Sequence, residues 1–177
     1  GAVLGHVLEV LPVLQADTRI GNPAVQIDPA KIVGIVISNQ ADSPSTVLPP
    51  DMDTQAIAGH LVEFFKKEVR EDRLTNKLMP LQAGIGTIAN AVMHGLVDSP
   101  FHDMTMYSEV LQDSTFELFD AGKLSFASGS SMTLSASKHA EVFADFSRYK
   151  SRLVLRPQEI SNHPEIIRRL GIIGINT

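Results

Sequence analysis

Glu109 is the residue whose position first suggests chemistry in this sequence. It stands where an apolar, strand-like run beginning at Met104 gives way to polar residues, within the stretch MTMYSEVLQD. Composition alone favours a simple role, in which Glu109 is solvated or caps a helix at a strand-to-helix junction. Asp113, four residues later, is predicted to be the N-cap of the next helix.

A second unusual stretch, LQAGIGTIANAV, places Gly84 and Gly86 on either side of Ile85, just before a helical pattern of small residues. Glycines let the backbone approach a ligand closely, and the unpaired N–H groups of a helix start suit an oxyanion or another anionic group. Spacing alone also permits a nucleotide-binding interpretation, since Glu109 lies 20 residues after Ala89. A second βαβ unit with matching chemistry is missing from the sequence, which disfavours that interpretation.

Positioning these residues requires strands, and the chain alternates short apolar runs with helical patterns. Strands are predicted at residues 31–38, 78–82, 104–108, 124–127, 153–155 and 172–175, the first of them buried on both faces. Helices are predicted from an N-cap at Asp53 for roughly five turns, after Gly86, and over residues 114–120, 136–146 and 164–170. Repeated βα units predict an α/β fold, with a parallel or mixed sheet and flanking helices.

Three candidate segments follow predicted strands. They are the turn from Gly84 to Gly86, Glu109, and the pair Ser161-Asn162, which stands a few residues beyond the strand at 153–155. Ligands of open α/β sheets bind outside the carboxyl ends of the strands, so we expect the three segments to form one site. The alternative role for Asn162 is an Asx-turn or a cap before Pro164. Arg156 is by default a surface charge.

The stretch at residues 39–50 is rich in Ser, Pro and Asp and is predicted to be a domain boundary. The first 15 residues are apolar but lack a basic lead-in and a small-residue cleavage site, which argues against a signal peptide. They are also too few to span a bilayer. An apolar start and a strand-like end predict that the chain is part of a longer protein.

Composition excludes several classes of function. The 177 residues carry a net charge of −5 without any basic stripe, so neither nucleic acid nor an anionic membrane is an expected partner. Cysteine is absent, which rules out thiolate catalysis and disulfides. The six histidines show no metal-ligand spacing, and no GxSxG motif is present, so neither a metal site nor a serine hydrolase is predicted.

Four segments in order resemble the acetyl-CoA hydrolase/transferase family, the class I CoA-transferases that include succinyl-CoA:acetate CoA-transferase. They are LQAGIGTIANAV, YSEVLQD, FASGSSMTLS and LRPQEISNHPEIIRRLGIIGINT. The serine-rich segment and the glutamine of EVLQD are closer to the succinyl-CoA:acetate branch than to the butyryl or 4-hydroxybutyryl branches. Weaker similarity extends the match back to Thr18.

The resemblance implies two α/β domains of similar topology with the active site between them. Residues 1–50 would be the tail of the N-terminal CoA-transferase domain, and residues 51–177 the first part of the C-terminal one. By the same resemblance, Glu109 is the nucleophile, while Gly84, Ile85, Gly86 and Asn162 bind substrate and oxyanions.

The implied reaction moves CoA between an acyl-CoA, such as succinyl-CoA or acetyl-CoA, and a small carboxylate such as acetate. It proceeds by ping-pong exchange through a glutamyl-CoA thioester, with CoA as a substrate and without a metal or redox cofactor. Two alternatives remain open: hydrolysis of acetyl-CoA with water as the acceptor, and a non-catalytic module that binds acyl-CoA or a nucleotide. The intact protein is expected to be a homodimer in the cytoplasm or in mitochondria.

Overall fold

The computed structural model describes residues 13–20, 26–40 and 50–176. Seven strands are present there: β1 (Leu81–Ala83), β2 (Met104–Tyr107), β3 (Val110–Leu111), β4 (Leu124–Gly129), β5 (Ser131–Met132), β6 (Leu153–Leu155) and β7 (Ile173–Ile175). Five of them form a sheet in the order β6, β4, β2, β1, β7, in which every neighbouring pair is parallel. Strands β3 and β5 form a separate short parallel pair.

Helices connect these strands. They are α1 (Met52–Arg70), α2 (Thr87–Gly95), α3 (Asp113–Asp120), α4 (Ala136–Ala144), α5 (Gln158–Ser161) and α6 (Pro164–Leu170), with 3-10 turns at Pro29–Lys31 and Phe146–Arg148. The alternation of helices with a parallel sheet confirms the predicted α/β class. Within the described ranges, no helix has both the length and the apolar character needed to cross a bilayer.

The start of α1 differs from the prediction. The N-cap is Asp51 rather than Asp53, because the Asp51 carboxylate accepts a hydrogen bond from the Thr54 backbone N–H at 2.9 Å. The Thr54 hydroxyl donates to the same carboxylate at 2.8 Å. This pair satisfies an N–H group that the first turn of a helix otherwise leaves unpaired. From there the helix turns Val62 and Phe65 toward the core.

The start of α3 differs as well. Gln112 occupies the N-cap position in extended backbone, and the predicted cap, Asp113, is already helical. The Asp113 carboxylate bonds instead to Ser135, accepting from its backbone N–H at 2.9 Å. Asp113 therefore joins the start of α3 to the start of α4.

The main core lies on one face of the sheet, under α1, α2 and α3. Its largest fully buried side chains include Phe101, Phe116 and Tyr149. The rings of Phe116 and Tyr149 meet edge to face at 5.1 Å between centroids. Burial of each such side chain stabilises the fold by roughly 1.5–3 kcal/mol. Strands β1, β2 and β4 each contribute side chains to this core.

The opposite face of the sheet carries a smaller cluster, formed by Tyr107, Ile160, Ile166 and Leu170. Residues 13–20 pack against this cluster through Leu14 and Ile20. The second face is therefore covered by α5, α6 and a segment from early in the chain.

Arg156 holds that early segment in place. Its side chain donates to the Thr18 carbonyl at 2.9 Å and to the Ala16 carbonyl at 3.0 Å, and the residue is only 5% exposed. The prediction of a surface charge is wrong for Arg156, because burial beside two backbone carbonyls gives the guanidinium acceptors that replace water.

The predicted strand at residues 31–38 is also wrong. After the 3-10 turn the chain is irregular there, and Val33, Val36 and Ile37 are more than 90% exposed. A run of β-branched residues favours extended backbone, but a strand needs a neighbour to bond its N–H and C=O groups. None of the other described residues pairs with 31–38. The predictions for residues 1–12 and 41–49 lie outside the described residues, and the division into domains stays a prediction.

Candidate active site

The three predicted segments lie at the carboxyl ends of strands in one parallel sheet. The turn at Gly84 follows β1, Glu109 follows β2, and Asn162 lies beyond β6. Strand β2 is hydrogen bonded to β1 on one side and to β4 on the other, and β6 is the next strand after β4. Since all five strands point the same way, their ends share an edge, and the candidate residues share it with them.

The backbone of Glu109 is fixed by the segment that follows β4. The Glu109 carbonyl accepts from the Ser130 N–H at 2.6 Å and from the Ser131 N–H at 3.2 Å. Immediately afterwards β3 pairs with β5, which aligns Val110 with Ser131. This small ladder was not predicted, since two-residue strands give no periodic signal. It holds the Glu109 loop against β4, with the side chain half-buried.

The Glu109 carboxylate has one side-chain partner among the described residues, Gln158. The Gln158 amide donates to Glu109 Oε1 at 2.6 Å, across 49 positions of sequence. Gln158 opens α5 and is exposed. This contact is not predictable from the sequence, because nothing in the local pattern around a glutamine in a short helix indicates a carboxylate partner.

The turn after β1 is tied to the Glu109 loop by Gln112. Its side chain, 5% exposed, donates to the Gly84 carbonyl at 2.9 Å. The Ser108 hydroxyl, next to Glu109, donates to the Ala83 carbonyl at 3.1 Å. Two side chains flanking Glu109 in sequence therefore bond to consecutive carbonyls of the turn, which sets the relative positions of the two loops.

Gly84 makes a close approach to the side chain of Asn176. A Cβ there would stand 2.4 Å from Asn176 Oδ1, far inside contact distance. Asn176 is itself held by Gln82, since the two amides exchange hydrogen bonds of 3.0 and 3.2 Å. Ile85 then projects its side chain outward, 68% exposed.

Gly86 is the N-cap of α2. Its backbone is extended, and it provides no side chain to cap the N–H groups of the first turn. Those N–H groups belong to the helix start that the sequence predicts to bind an anion, and Ile85 stands directly before it. An uncapped helix start is suited to that role.

Asn162 is placed near this group without joining it. It ends α5, one turn after Gln158, and its backbone N–H donates to the Gln158 carbonyl at 2.8 Å. The Asn162 side chain is exposed, and no hydrogen bond joins it to Glu109 in the described part of the chain. The geometry thus brings Gln158, at the start of α5, to the carboxylate and leaves Asn162 at the C-cap of that helix.

Tyr107 and Arg156 are buried side chains that contact each other close to the Glu109 loop. The Tyr107 hydroxyl donates to the Ile160 carbonyl at 2.6 Å, and burial raises the pKa of Tyr107 to about 12. The Arg156 guanidinium lies 5.5 Å from the centre of the Tyr107 ring, and burial lowers the pKa of Arg156. At neutral pH Tyr107 therefore remains a protonated hydrogen-bond donor and does not act as a base.

Metal ligation has no support in the arrangement of side chains. Among residues 13–20, 26–40 and 50–176, no three acidic or histidine side chains gather closely enough to hold an ion. His94 pairs with Glu117 at 2.8 Å on the surface of α2 and α3, away from the strand ends. The Glu109 carboxylate, the Gln158 and Gln112 amides and the Ser108 hydroxyl lie together at the strand ends, and such groups suit acyl-transfer chemistry with an oxyanion.

A parallel sheet with these loops at its carboxyl edge has the fold of CoA-transferases. The structure is similar to a 4-hydroxybutyrate CoA-transferase from Porphyromonas gingivalis, with a TM-score of 0.50 and 20% identity, over 77% of this chain and 34% of that one. It is also similar to RipA from Yersinia pestis, with a TM-score of 0.56 and 17% identity, over 76% of this chain and 30% of that one.

Sequence relatives identify the family. The chain is 50% identical to an acetyl-CoA hydrolase from Schizosaccharomyces pombe, over 92% of this chain and 31% of the relative. It is 46% identical to one from Saccharomyces cerevisiae, over 94% of this chain and 32% of the relative. No protein-family model matches. The chain belongs to the acetyl-CoA hydrolase/transferase family, as the resemblance predicted, and spans about a third of the length of these curated relatives.

Proposed function

We propose that the protein containing this chain cleaves and forms acyl-CoA thioesters, with Glu109 as the covalent nucleophile. The observation that carries the proposal is the placement of the Glu109 carboxylate at the carboxyl edge of the sheet, 2.6 Å from the Gln158 amide. Gln112 links the Glu109 loop to the turn at Gly84. Membership of a family whose relatives are named acetyl-CoA hydrolase supports the same chemistry.

In the first step a Glu109 carboxylate oxygen attacks the carbonyl carbon of the acyl-CoA thioester. A C–O bond forms, the C–S bond breaks, and CoA leaves as its thiolate, which gives an acyl-glutamyl anhydride. The thiolate then attacks the glutamyl carbon, releases the acyl group as a carboxylate and leaves a glutamyl-CoA thioester. An incoming carboxylate reverses these steps and departs as a new acyl-CoA.

Each attack places negative charge on an oxygen, which fixed N–H donors can stabilise. We assign that role to the backbone N–H groups of Ile85 and Gly86 and to the Asn162 amide. One such donor is typically worth about 3 kcal/mol of transition-state stabilisation. Asn162 is exposed where it ends α5, so a bound substrate could reach it. CoA is a substrate here, and the proposed steps require no metal or redox cofactor.

Transfer to a small carboxylate such as acetate and hydrolysis by water share the glutamyl-CoA thioester, and differ only in the final acceptor. The names of the fungal relatives favour hydrolysis of acetyl-CoA as a second candidate function. How well the intact active site excludes water would decide between transfer and hydrolysis. A homodimer and a cytoplasmic or mitochondrial location remain expectations from the family resemblance.

The test uses the full-length natural protein and its Glu109→Gln variant, with Glu159→Gln as a matched control on the neighbouring helix. Incubation with acetyl-CoA or succinyl-CoA, followed by mass spectrometry, should find CoA attached at Glu109 in the wild type and in the control. Glu109→Gln should lack the adduct. Label exchange between acetate and acetyl-CoA then measures transfer, and release of free CoA without acetate measures hydrolysis.

Two outcomes would contradict the proposal. A protein that binds CoA without ever forming the adduct would be a non-catalytic acyl-CoA module. A Glu109→Gln variant with a wild-type exchange rate would remove Glu109 as the nucleophile. The role of Asn162 is tested separately by Asn162→Ala, which should lower kcat more than it raises KM if the amide acts in the transition state.

A further inference from the structure

We propose that Gln158 is a catalytic residue of this reaction, binding Glu109 Oε1 through every covalent state of the nucleophile. The inference rests on the function proposed above. Its side-chain amide donates to Oε1 at 2.6 Å in the free protein. That oxygen becomes the carbonyl oxygen of the anhydride and of the glutamyl-CoA thioester, because the attacking oxygen is the other one, Oε2.

The contact is held by a frame of hydrogen bonds between three chain segments. The Ser130 N–H donates to the Glu109 carbonyl at 2.6 Å. The Arg156 N–H donates to the Gly129 carbonyl at 2.8 Å, which places the start of the Gln158 segment beside Ser130. Segments 107–109, 129–130 and 156–160 are thereby joined in order across the strand ends.

Segment 156–160, which contains Gln158, is also held at its other end, at Ile160. The Ile160 carbonyl accepts the Tyr107 hydroxyl at 2.6 Å, and the Ile160 side chain is buried in the second core cluster. Tyr107 stands two residues before Glu109 in the chain, and Ile160 stands two residues after Gln158. One bond between buried groups therefore sets the spacing of half-buried Glu109 and exposed Gln158. A donor fixed in advance needs no reorganisation during the reaction.

A glutamine has the chemistry that this position requires. Its amide donates a hydrogen bond at any pH that the protein survives, and it carries no charge that would hold the carboxylate as a tight ion pair. By occupying Oε1 it leaves Oε2 as the oxygen available to attack an incoming thioester.

The same donor stabilises the transition state more than the resting carboxylate. In the carboxylate, one negative charge is shared between Oε1 and Oε2. When the CoA thiolate attacks the glutamyl carbon, the C=O electrons move to Oε1, which then carries a full charge in the tetrahedral intermediate. A hydrogen bond to Oε1 strengthens as that charge concentrates, and only such a difference between the two states accelerates a reaction.

The experiment measures the rate of glutamyl-CoA formation in a single turnover of the full-length protein, by mass spectrometry after mixing with acetyl-CoA. Gln158→Met removes the donor and keeps the length of the side chain. We expect the rate to fall by about 100- to 1,000-fold, as for loss of one oxyanion donor. Glu159→Gln, one residue along on the same helix, should keep the wild-type rate. A Gln158→Met rate within a few-fold of wild type overturns the inference.

A second variant separates catalysis from folding. Gln158→Glu keeps the shape of the side chain but places a carboxylate beside Glu109, and the rate should recover as the pH falls and the new carboxyl gains a proton to donate. A purely structural role would give no such pH profile. A ratio of variant to wild-type rates that stays constant as the pH changes therefore also overturns the inference. Failure of the proposed function looks different, because then the wild type itself forms no adduct.

Discussion

Gly129 ends β4 directly beside the backbone of Glu109, and replacing it with alanine should test the local packing of the site. A Cβ there would lie 2.8 Å from Leu111 Cγ and 3.1 Å from the Glu109 carbonyl oxygen. Carbon atoms pack best at about 3.5–4.0 Å, so Leu111 would have to move by roughly 0.7 Å. Leu111 is fully buried and its strand is paired with β5, which leaves little room for that movement.

The expected cost of Gly129→Ala is about 1–3 kcal/mol in the free energy of unfolding, as for other overpacked sites. In a domain of this size, each kcal/mol corresponds to a fall of about 2–4 °C in Tm. The activity should fall further than stability explains, because the new methyl group presses on the Glu109 carbonyl. A displacement of about 1 Å in a reacting group can cost on the order of 100-fold in rate.

Denaturant unfolding and acyl-CoA turnover, both measured well below Tm, check the two parts of this prediction. Gly59→Ala is the matched control, since a Cβ there meets nothing within 4 Å. That glycine lies within α1 and is exposed, so alanine should stabilise the protein by about 0.5–1 kcal/mol. If Gly129→Ala were as stable and as active as wild type, the placement of Glu109 against β4 would be refuted.

Burial raises the pKa of Tyr107 to about 12, above its unfolded value near 10, so its contribution to stability is present below pH 10 and is lost toward pH 12. Tyr107→Phe should flatten that part of the decline in urea unfolding measured against pH. Arg156→Met removes both hydrogen bonds to segment 16–18, which hydrogen exchange should detect as faster exchange in residues 13–20. Gln112→Met leaves the Gly84 carbonyl without its donor, so stability should fall by about 1–3 kcal/mol and kcat should fall with it. Unchanged values in the respective assays would contradict each expectation.

Local patterns in the sequence were sufficient to predict most of the elements around the site. The switch from apolar runs to a 3.6-residue period predicted the helices after Gly86 and at residues 164–170, and both are present. The first residue of a helix is harder to predict, because several neighbouring polar residues can cap it. Asp51 rather than Asp53 caps α1, since only Asp51 finds Thr54 three residues later.

Pairing between distant segments could not be predicted in the same way. Residues 31–38 have the composition of a buried strand, yet they are exposed, because a strand depends on a neighbour that the local sequence does not specify. Arg156 is the opposite case, since it is predicted to be exposed and is buried. A charged residue near the end of a strand is usually solvated, but here the guanidinium donates to the carbonyls of residues 16 and 18.

The sequence by itself determined that Glu109, the turn at Gly84 and Asn162 follow strands of an α/β fold, and the resemblance it carries determined the family. Both follow from which residues neighbour one another along the sequence. Only the tertiary structure decided which group binds the carboxylate. Gln158 contacts Glu109, 49 residues away in sequence, because β4 lies between β2 and β6 in the sheet. The hydrogen bond from Tyr107 to Ile160 holds the segments that follow β2 and β6 side by side. Such a contact depends on strand order, which periodicity does not encode.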